Sequence, residues 1–242
     1  MKQIKTPKLL VSVKNFNEIY KVKNYADIID LKNPEDGPLG SWSRKNIIIA
    51  VKDKRNKFSA TLGNEKKKSD ILKKLLIFDD LRLNYIKVGF FHDEVSDIFD
   101  LLQRLEIKIF KTKLVGVLFA EKKNILDFAF KNIKYFVKAG FKFLLIDTCK
   151  KESLDLLSIH STSYLVNCIS VCKKNNIEIG VAGKLKLQQI PILIKLKPDL
   201  IGVRSAVCMG LNRKNNISEK LTKELKSYFI SEIKSAQAVA GA

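Results

Sequence analysis

The sequence predicts an α/β fold, a (β/α)8 TIM barrel, and three observations carry that prediction. Eight apolar runs of strand length recur along the chain. Amphipathic stretches with helical spacing separate them. The 242 residues suit eight strand–helix units of about 30 residues each, the size of this barrel. Alternating strands and helices imply a parallel sheet with right-handed crossovers. An open doubly wound sheet is the alternative, but no GxGxxG follows the first run.

The runs cover 9–13, 27–32, 58–63, 85–90, 114–120, 143–149, 177–183 and 200–207. Each is rich in Val, Ile, Leu or Phe, as strands buried on both faces are. Between them, 93–107 places Val95, Ile98, Phe99, Leu102 and Leu105 on one stripe. The segment 125–139 does the same with Ile125, Phe128, Ala129, Ile133 and Phe136, and 219–233 closes the barrel in the same style. No internal boundary interrupts the pattern, so residues 1–234 form one domain and 235–242 is expected to fray as a tail.

Composition narrows the class. The chain carries 45 Lys and Arg against 25 Asp and Glu, a formal charge of +20. Such a surplus invites nucleic acid. Only six of the 45 basic residues are Arg, however, and the longest basic run is Lys66-Lys67-Lys68. Scattered lysine is more simply a solvated surface, so no nucleic-acid partner is expected. No apolar run reaches the ~18 residues of a membrane span. The apolar part of the basic start is too short for a signal peptide. Four unevenly spaced cysteines make no disulfide framework and point to a cytoplasmic protein. Cys168 and Cys172 stand at i, i+4 but lack further ligands, so core packing is expected and no metal.

Strand parity locates the chemistry. Alternate residues face the helices and the lumen. Ile29 and Leu31 outward leave Asp30 and Lys32 inward; Ile86 and Val88 outward leave Lys87 inward. By the same rule Asp147, Gly202 and Arg204 point in, and odd strands add Ser12, Ser59 and Thr61. Barrel active sites lie at the C-terminal ends of the strands, and Lys151 stands just past the sixth. A purely structural account would pair Asp30 with Lys32 and Asp147 with Lys87. Two inward lysines and two inward aspartates at strand ends favour a site instead. A lysine among cations has a depressed pKa, and a neutral amine forms a Schiff base with a carbonyl. Arg204 and the turns at Ala182-Gly183-Lys184 and Gly202-Val203-Arg204-Ser205 suit a phosphate after strands seven and eight. The loop 33–40, rich in Pro and Gly, shapes the pocket beside Lys32 or simply connects. Trp42 is expected to pack on the helix that follows it.

Several of these residues form a familiar set. They are Leu10-Val11-Ser12, Asp30-Leu31-Lys32-Asn33-Pro34 with Gly37 and Leu39-Gly40, Tyr85-Ile86-Lys87-Val88-Gly89, Asp147-Thr148 with Lys151, Ala182-Gly183, and Gly202-Val203-Arg204 with Ala206 and Cys208. Over nearly the whole chain they resemble the (5-formylfuran-3-yl)methyl phosphate synthase family, which makes the furan precursor of methanofuran in methanogenic archaea and of a related carrier in methylotrophic bacteria. The resemblance implies a barrel lyase without cofactor that condenses two glyceraldehyde 3-phosphate molecules. It implies Lys32 as the Schiff-base lysine, Lys87 as the general base, and Asp30, Asp147 and Lys151 as supporting groups. Ser12, Thr61, Gly183, Gly202, Arg204 and Ser205 would lie near phosphate. The chain departs from the family pattern at Asn64–Asp70, a shorter loop, at Lys184, and at Ser205 in place of glycine. A triose-phosphate aldolase or isomerase of the Schiff-base type is the alternative enzyme, and a basic nucleic-acid binder the non-enzymatic one. Barrels associate through helix faces, so a homo-oligomer is a mild expectation.

Overall fold

Eight parallel strands close on themselves in the order β1 to β8. The computed structural model describes residues 6–150 and 154–241. The strands are β1 (Lys8–Val13), β2 (Ile28–Leu31), β3 (Phe58–Thr61), β4 (Tyr85–Gly89), β5 (Lys113–Phe119), β6 (Phe141–Asp147), β7 (Glu178–Val181) and β8 (Leu200–Val203). β1 closes the ring by pairing with β8, with Leu10 opposite Gly202. It aligns with β2 so that Ser12 stands opposite Asp30.

Helices cover the outside: α1 (Phe16–Val22), α2 (Arg44–Ala50), α3 (Lys68–Asp79), α4 (Val95–Glu106), α5 (Lys123–Lys131), α6 (Ile133–Lys138), α7 (Leu156–Ile159), α8 (Thr162–Lys174), α9 (Ile190–Lys195) and α10 (Glu219–Gly241). Several starts are written locally. Asn15, Ser43 and Ser161 each accept a backbone N–H of the first turn with their side chains, which satisfies a donor the helix leaves unpaired.

The period of two on the strands sorts the core into two bodies. Leu9, Val11, Ile29, Leu31, Ile86, Val88, Ile146 and Ile201 face outward against the helices. Leu10, Ile28, Tyr85, Val115, Phe143, Leu145 and Leu200 fill the lumen. Five of these inner residues precede a polar or small one two positions on: Leu10 before Ser12, Ile28 before Asp30, Tyr85 before Lys87, Leu145 before Asp147, Leu200 before Gly202. The barrel is therefore dry at the N-terminal ends of its strands and charged at the C-terminal ends.

Two elements differ from expectation. The helix expected over 125–139 breaks at Asn132, whose side chain and backbone N–H both donate to the Phe128 carbonyl, at 3.0 and 2.9 Å, and close the end of α5. The last helix runs through the expected tail to Gly241; the alanines there are strong helix formers. Trp42 packs edge-to-face on Phe16 of α1, with ring centroids 5.3 Å apart, and belongs to the same core cluster as Ile47 and Ala50 of α2. Cys168 and Cys172 lie buried in α8 as core residues, all four cysteines are free thiols, and no described helix is long and apolar enough to cross a membrane.

Candidate active site

Four inward charges meet where the strands end. Lys87 donates its Nζ proton to Asp30 Oδ2 at 2.9 Å, and both side chains are buried. Ser12 and Ser59 donate to the same carboxylate, at 2.7 Å to Oδ2 and 2.6 Å to Oδ1. Burial alone would push the Asp30 carboxyl up. Lys87 and Lys32, with the hydrogen bonds from Ser59 and Lys87, outweigh it and hold the group below its ordinary value.

Lys32 has looser company. Its Nζ lies 3.5 Å from Asp147 Oδ2, and the other Asp147 oxygen accepts the Thr148 N–H at 2.8 Å. Burial drives the Lys32 ammonium down from its ordinary pKa. Asp147 and Asp30 pull it up, Arg213 and Lys87 push it further down, and the net direction is down. The two lysines thus differ: Lys87 is held tightly by a carboxylate with two further donors, and Lys32 stands at an open mouth.

The ion pairs are crossed relative to the structural account above, which pairs Asp30 with Lys32. Residues two apart on a strand share a face but sit roughly 6.6 Å apart along it. Each therefore finds its partner on another strand at its own level: Asp30 takes Lys87 of β4, and Lys32 takes Asp147 of β6.

A cavity of about 520 Å3, open solvent at its mouth included, brings Lys32, Lys87 and Asp147 together. Ser12, Gly183, Gly202 and Ser205 also line it, beside Lys184 and Arg213. Gly183 has φ +108°, and a Cβ there would lie 2.6 Å from Thr148 Cγ2, so only glycine fits this wall. Lys151 lies outside the described residues.

Two expected phosphate ligands have other tasks. Thr61 is fully buried, and its hydroxyl faces the carbonyls of Gly40 at 2.7 Å and Leu31 at 3.3 Å. It pins the loop after β2 instead of facing the cavity. Arg204 borders the cavity, but its guanidinium is ion-paired with Glu18 of α1 at 2.9 Å and hydrogen-bonded to three carbonyls. The cause is Glu18 itself, 1% exposed: a carboxylate this deep needs a partner.

The loop after β2 is pinned to the barrel at several points, although none of its residues 33–40 lines the cavity. Leu39 is wholly buried and packs in the lumen cluster with Tyr85 and Phe91. Asn33 donates its N–H to the Gly40 carbonyl at 2.8 Å, Leu39 donates to Asn64 Oδ1 at 3.0 Å, and Arg213 reaches the Gly37 carbonyl at 3.3 Å. Glu121 anchors the other side, its carboxylate accepting the N–H of Cys149 at 2.9 Å and of Lys150 at 3.1 Å. It thereby holds the strand-six loop that leads to Lys151. Glu18, Arg213, Leu39 and Glu121 were not legible from strand parity, because none sits on a strand. The scarcity of arginine was the one available signal for Arg213.

The chain matches a family model described as 4-HFC-P synthase over residues 9–226. The (5-formylfuran-3-yl)methyl phosphate synthase of Methanosarcina barkeri is 30% identical over 230 residues, which span 90% of this chain and 97% of that one. The enzyme of the same name from Methanocaldococcus jannaschii is 29% identical over 218 residues, 83% of this chain and 90% of its own. Among solved structures, 3-hexulose-6-phosphate synthase from Salmonella typhimurium is similar with a TM-score of 0.61 and 16% identity, covering 93% and 99% of the two chains. That likeness is one of fold. With its paired lysines and aspartates at the mouth and the family match running from β1 into the last helix, the chain belongs to the 4-HFC-P synthase family.

Proposed function

We propose that the protein is a lyase that condenses two molecules of glyceraldehyde 3-phosphate into (5-formylfuran-3-yl)methyl phosphate. The balance is one phosphate and two waters lost, with no oxidant or reductant. One observation carries the reading: Lys32 is a buried lysine with a lowered pKa, standing at the cavity mouth 3.5 Å from a carboxylate. The product then serves a methanofuran-type cofactor in the cytoplasm.

Lys32 Nζ, neutral in part, attacks the aldehyde carbon of the first triose phosphate. The carbinolamine loses water to give an iminium, with Asp147 beside it to steady the charge. Lys87, which donates to Asp30, first gives a proton to the departing hydroxyl. The resulting amine then takes a proton from the carbon next to the iminium. The enamine so formed adds to the aldehyde carbon of the second molecule. Loss of phosphate and water closes and aromatises the ring, and hydrolysis frees Lys32. The imine is the electron sink, so the scheme uses no metal.

Borohydride reduction during turnover, followed by peptide mapping, tests this. The adduct is expected on Lys32. Its yield rises with pH through a value below the ordinary lysine pKa, because attack needs the neutral amine. A furan absorbance appears in the ultraviolet alongside. An adduct without a furan would indicate an aldolase or isomerase. An adduct on Lys87 alone would reverse the two lysines' roles.

A further inference from the structure

Arg204 has no donor left for a ligand. A guanidinium carries five N–H groups. Nε donates to the Arg213 carbonyl at 2.6 Å, Nη1 to the Ser12 carbonyl at 2.8 Å and Glu18 Oε2 at 2.9 Å, and Nη2 to Glu18 Oε1 at 3.3 Å and the Asn215 carbonyl at 3.4 Å. Glu18 also accepts the N–H groups of Lys14 and Ile217. Together they form a buried clasp between the start of α1 and the segment that follows β8.

That clasp grips the backbone of Arg213, not its side chain. The Arg213 side chain is half-buried and lines the cavity with Lys32, Gly183, Lys184 and Ser205. Among the described residues it makes one hydrogen bond, Nη2 to the Gly37 carbonyl at a long 3.3 Å. Its charge reaches Lys32. A planar fork with unused donors, held by its backbone at the rim of a cationic cavity, matches phosphate geometry. We infer that Arg213 is the phosphate-binding arginine of this site, and that Arg204 and Glu18 are the positioning residues that hold it there. This rests on the triose-phosphate reading and assigns the anion contact within it.

Calorimetry with inorganic phosphate gives a readout that needs no turnover. Wild-type protein is expected to bind phosphate, and Arg213→Gln to weaken the dissociation constant roughly ten- to hundredfold, the scale of a lost charge-assisted pair. Arg213→Lys, which keeps the charge but not the fork, falls between. The second readout is the ratio of borohydride-trapping rates with glyceraldehyde 3-phosphate and with glyceraldehyde. Arg213→Gln and Glu18→Gln should both lower that ratio, whereas a general loss of structure lowers both rates and leaves the ratio standing. Unchanged phosphate affinity in Arg213→Gln, or an unchanged ratio, overturns the inference. Failure of the furan reading looks different: no furan forms, while phosphate binding still depends on Arg213.

Discussion

Asp30 is surrounded by donors. Ser12, Ser59 and Lys87 all point at one carboxylate with no measurable exposure. Removing one partner of a buried pair leaves the other charge uncompensated, which costs about 3–5 kcal/mol. Asp30→Asn should therefore lower unfolding stability by about that amount in urea melts, because Lys87 is only 4% exposed. Adding Lys87→Met should recover most of the loss, since a well-packed apolar pair is often as stable as a buried ion pair. The sign with pH follows from the lowered Asp30 pKa. Its stabilisation is present above the unfolded-state carboxyl pKa and is lost as pH falls through the folded value. Wild-type stability should thus decline on acidification more steeply than that of Asp30→Asn. An Asp30→Asn melt matching wild type would show that this carboxylate does not hold Lys87. The double variant separates structure from the proposed chemistry: it should fold, yet catalyse no condensation, because the lysine proposed to carry the proton is gone.

Gly40 shows how a loop is fixed beside the site. A Cβ there would lie 2.2 Å from the Asn33 carbonyl oxygen and 2.7 Å from Asp36 Cβ. The first contact is with backbone, so the loop itself must move. The carbonyl of Gly40 is also the acceptor for Thr61 Oγ1 and Asn33 N–H. Gly40→Ala should therefore lift the strand-two loop and withdraw Leu39 from the lumen. A misplacement on the order of 1 Å near a reacting group can cost about a hundredfold in rate. The expected outcome is a ten- to hundredfold loss in kcat/KM, roughly on that scale. Far-ultraviolet circular dichroism should be unchanged, and backbone exchange faster in residues 33–43. Wild-type exchange in that loop would show that the crowding at Gly40 is relieved without opening it. The strands themselves do not depend on this loop. Their pairing runs around the ring from β1 to β8, and the outer core packs on the helices.

At the scale of the whole barrel, what was legible in the sequence is what the period of two governs. Asp30, Lys87 and Asp147 could be placed in the lumen because their neighbours Ile29, Ile86 and Ile146 had to meet helices. The partner of Arg204 could not, since Glu18 is 186 residues away on a helix and no local rule links them. The seat of Leu39 is likewise tertiary. The formal charge of +20 belongs to this scale too, because no single contact explains it. Most of the lysines are far from the mouth, yet the cavity gathers Lys32, Lys87, Lys184, Arg204 and Arg213 against Asp147 and the buried Asp30. A cationic mouth on a cationic molecule draws anions from a distance, and salt weakens that field. The Debye length shrinks from about 30 Å at 0.01 M salt to about 10 Å at 0.1 M. Raising ionic strength across that range should lower kcat/KM for glyceraldehyde 3-phosphate several-fold. The trapping rate with uncharged glyceraldehyde should stay level, because it carries nothing for the field to act on. If both fall together, salt is acting on the chemistry at Lys32 and not on capture. If neither falls, the surface lysines have no part in delivering substrate, and only the cations at the mouth matter.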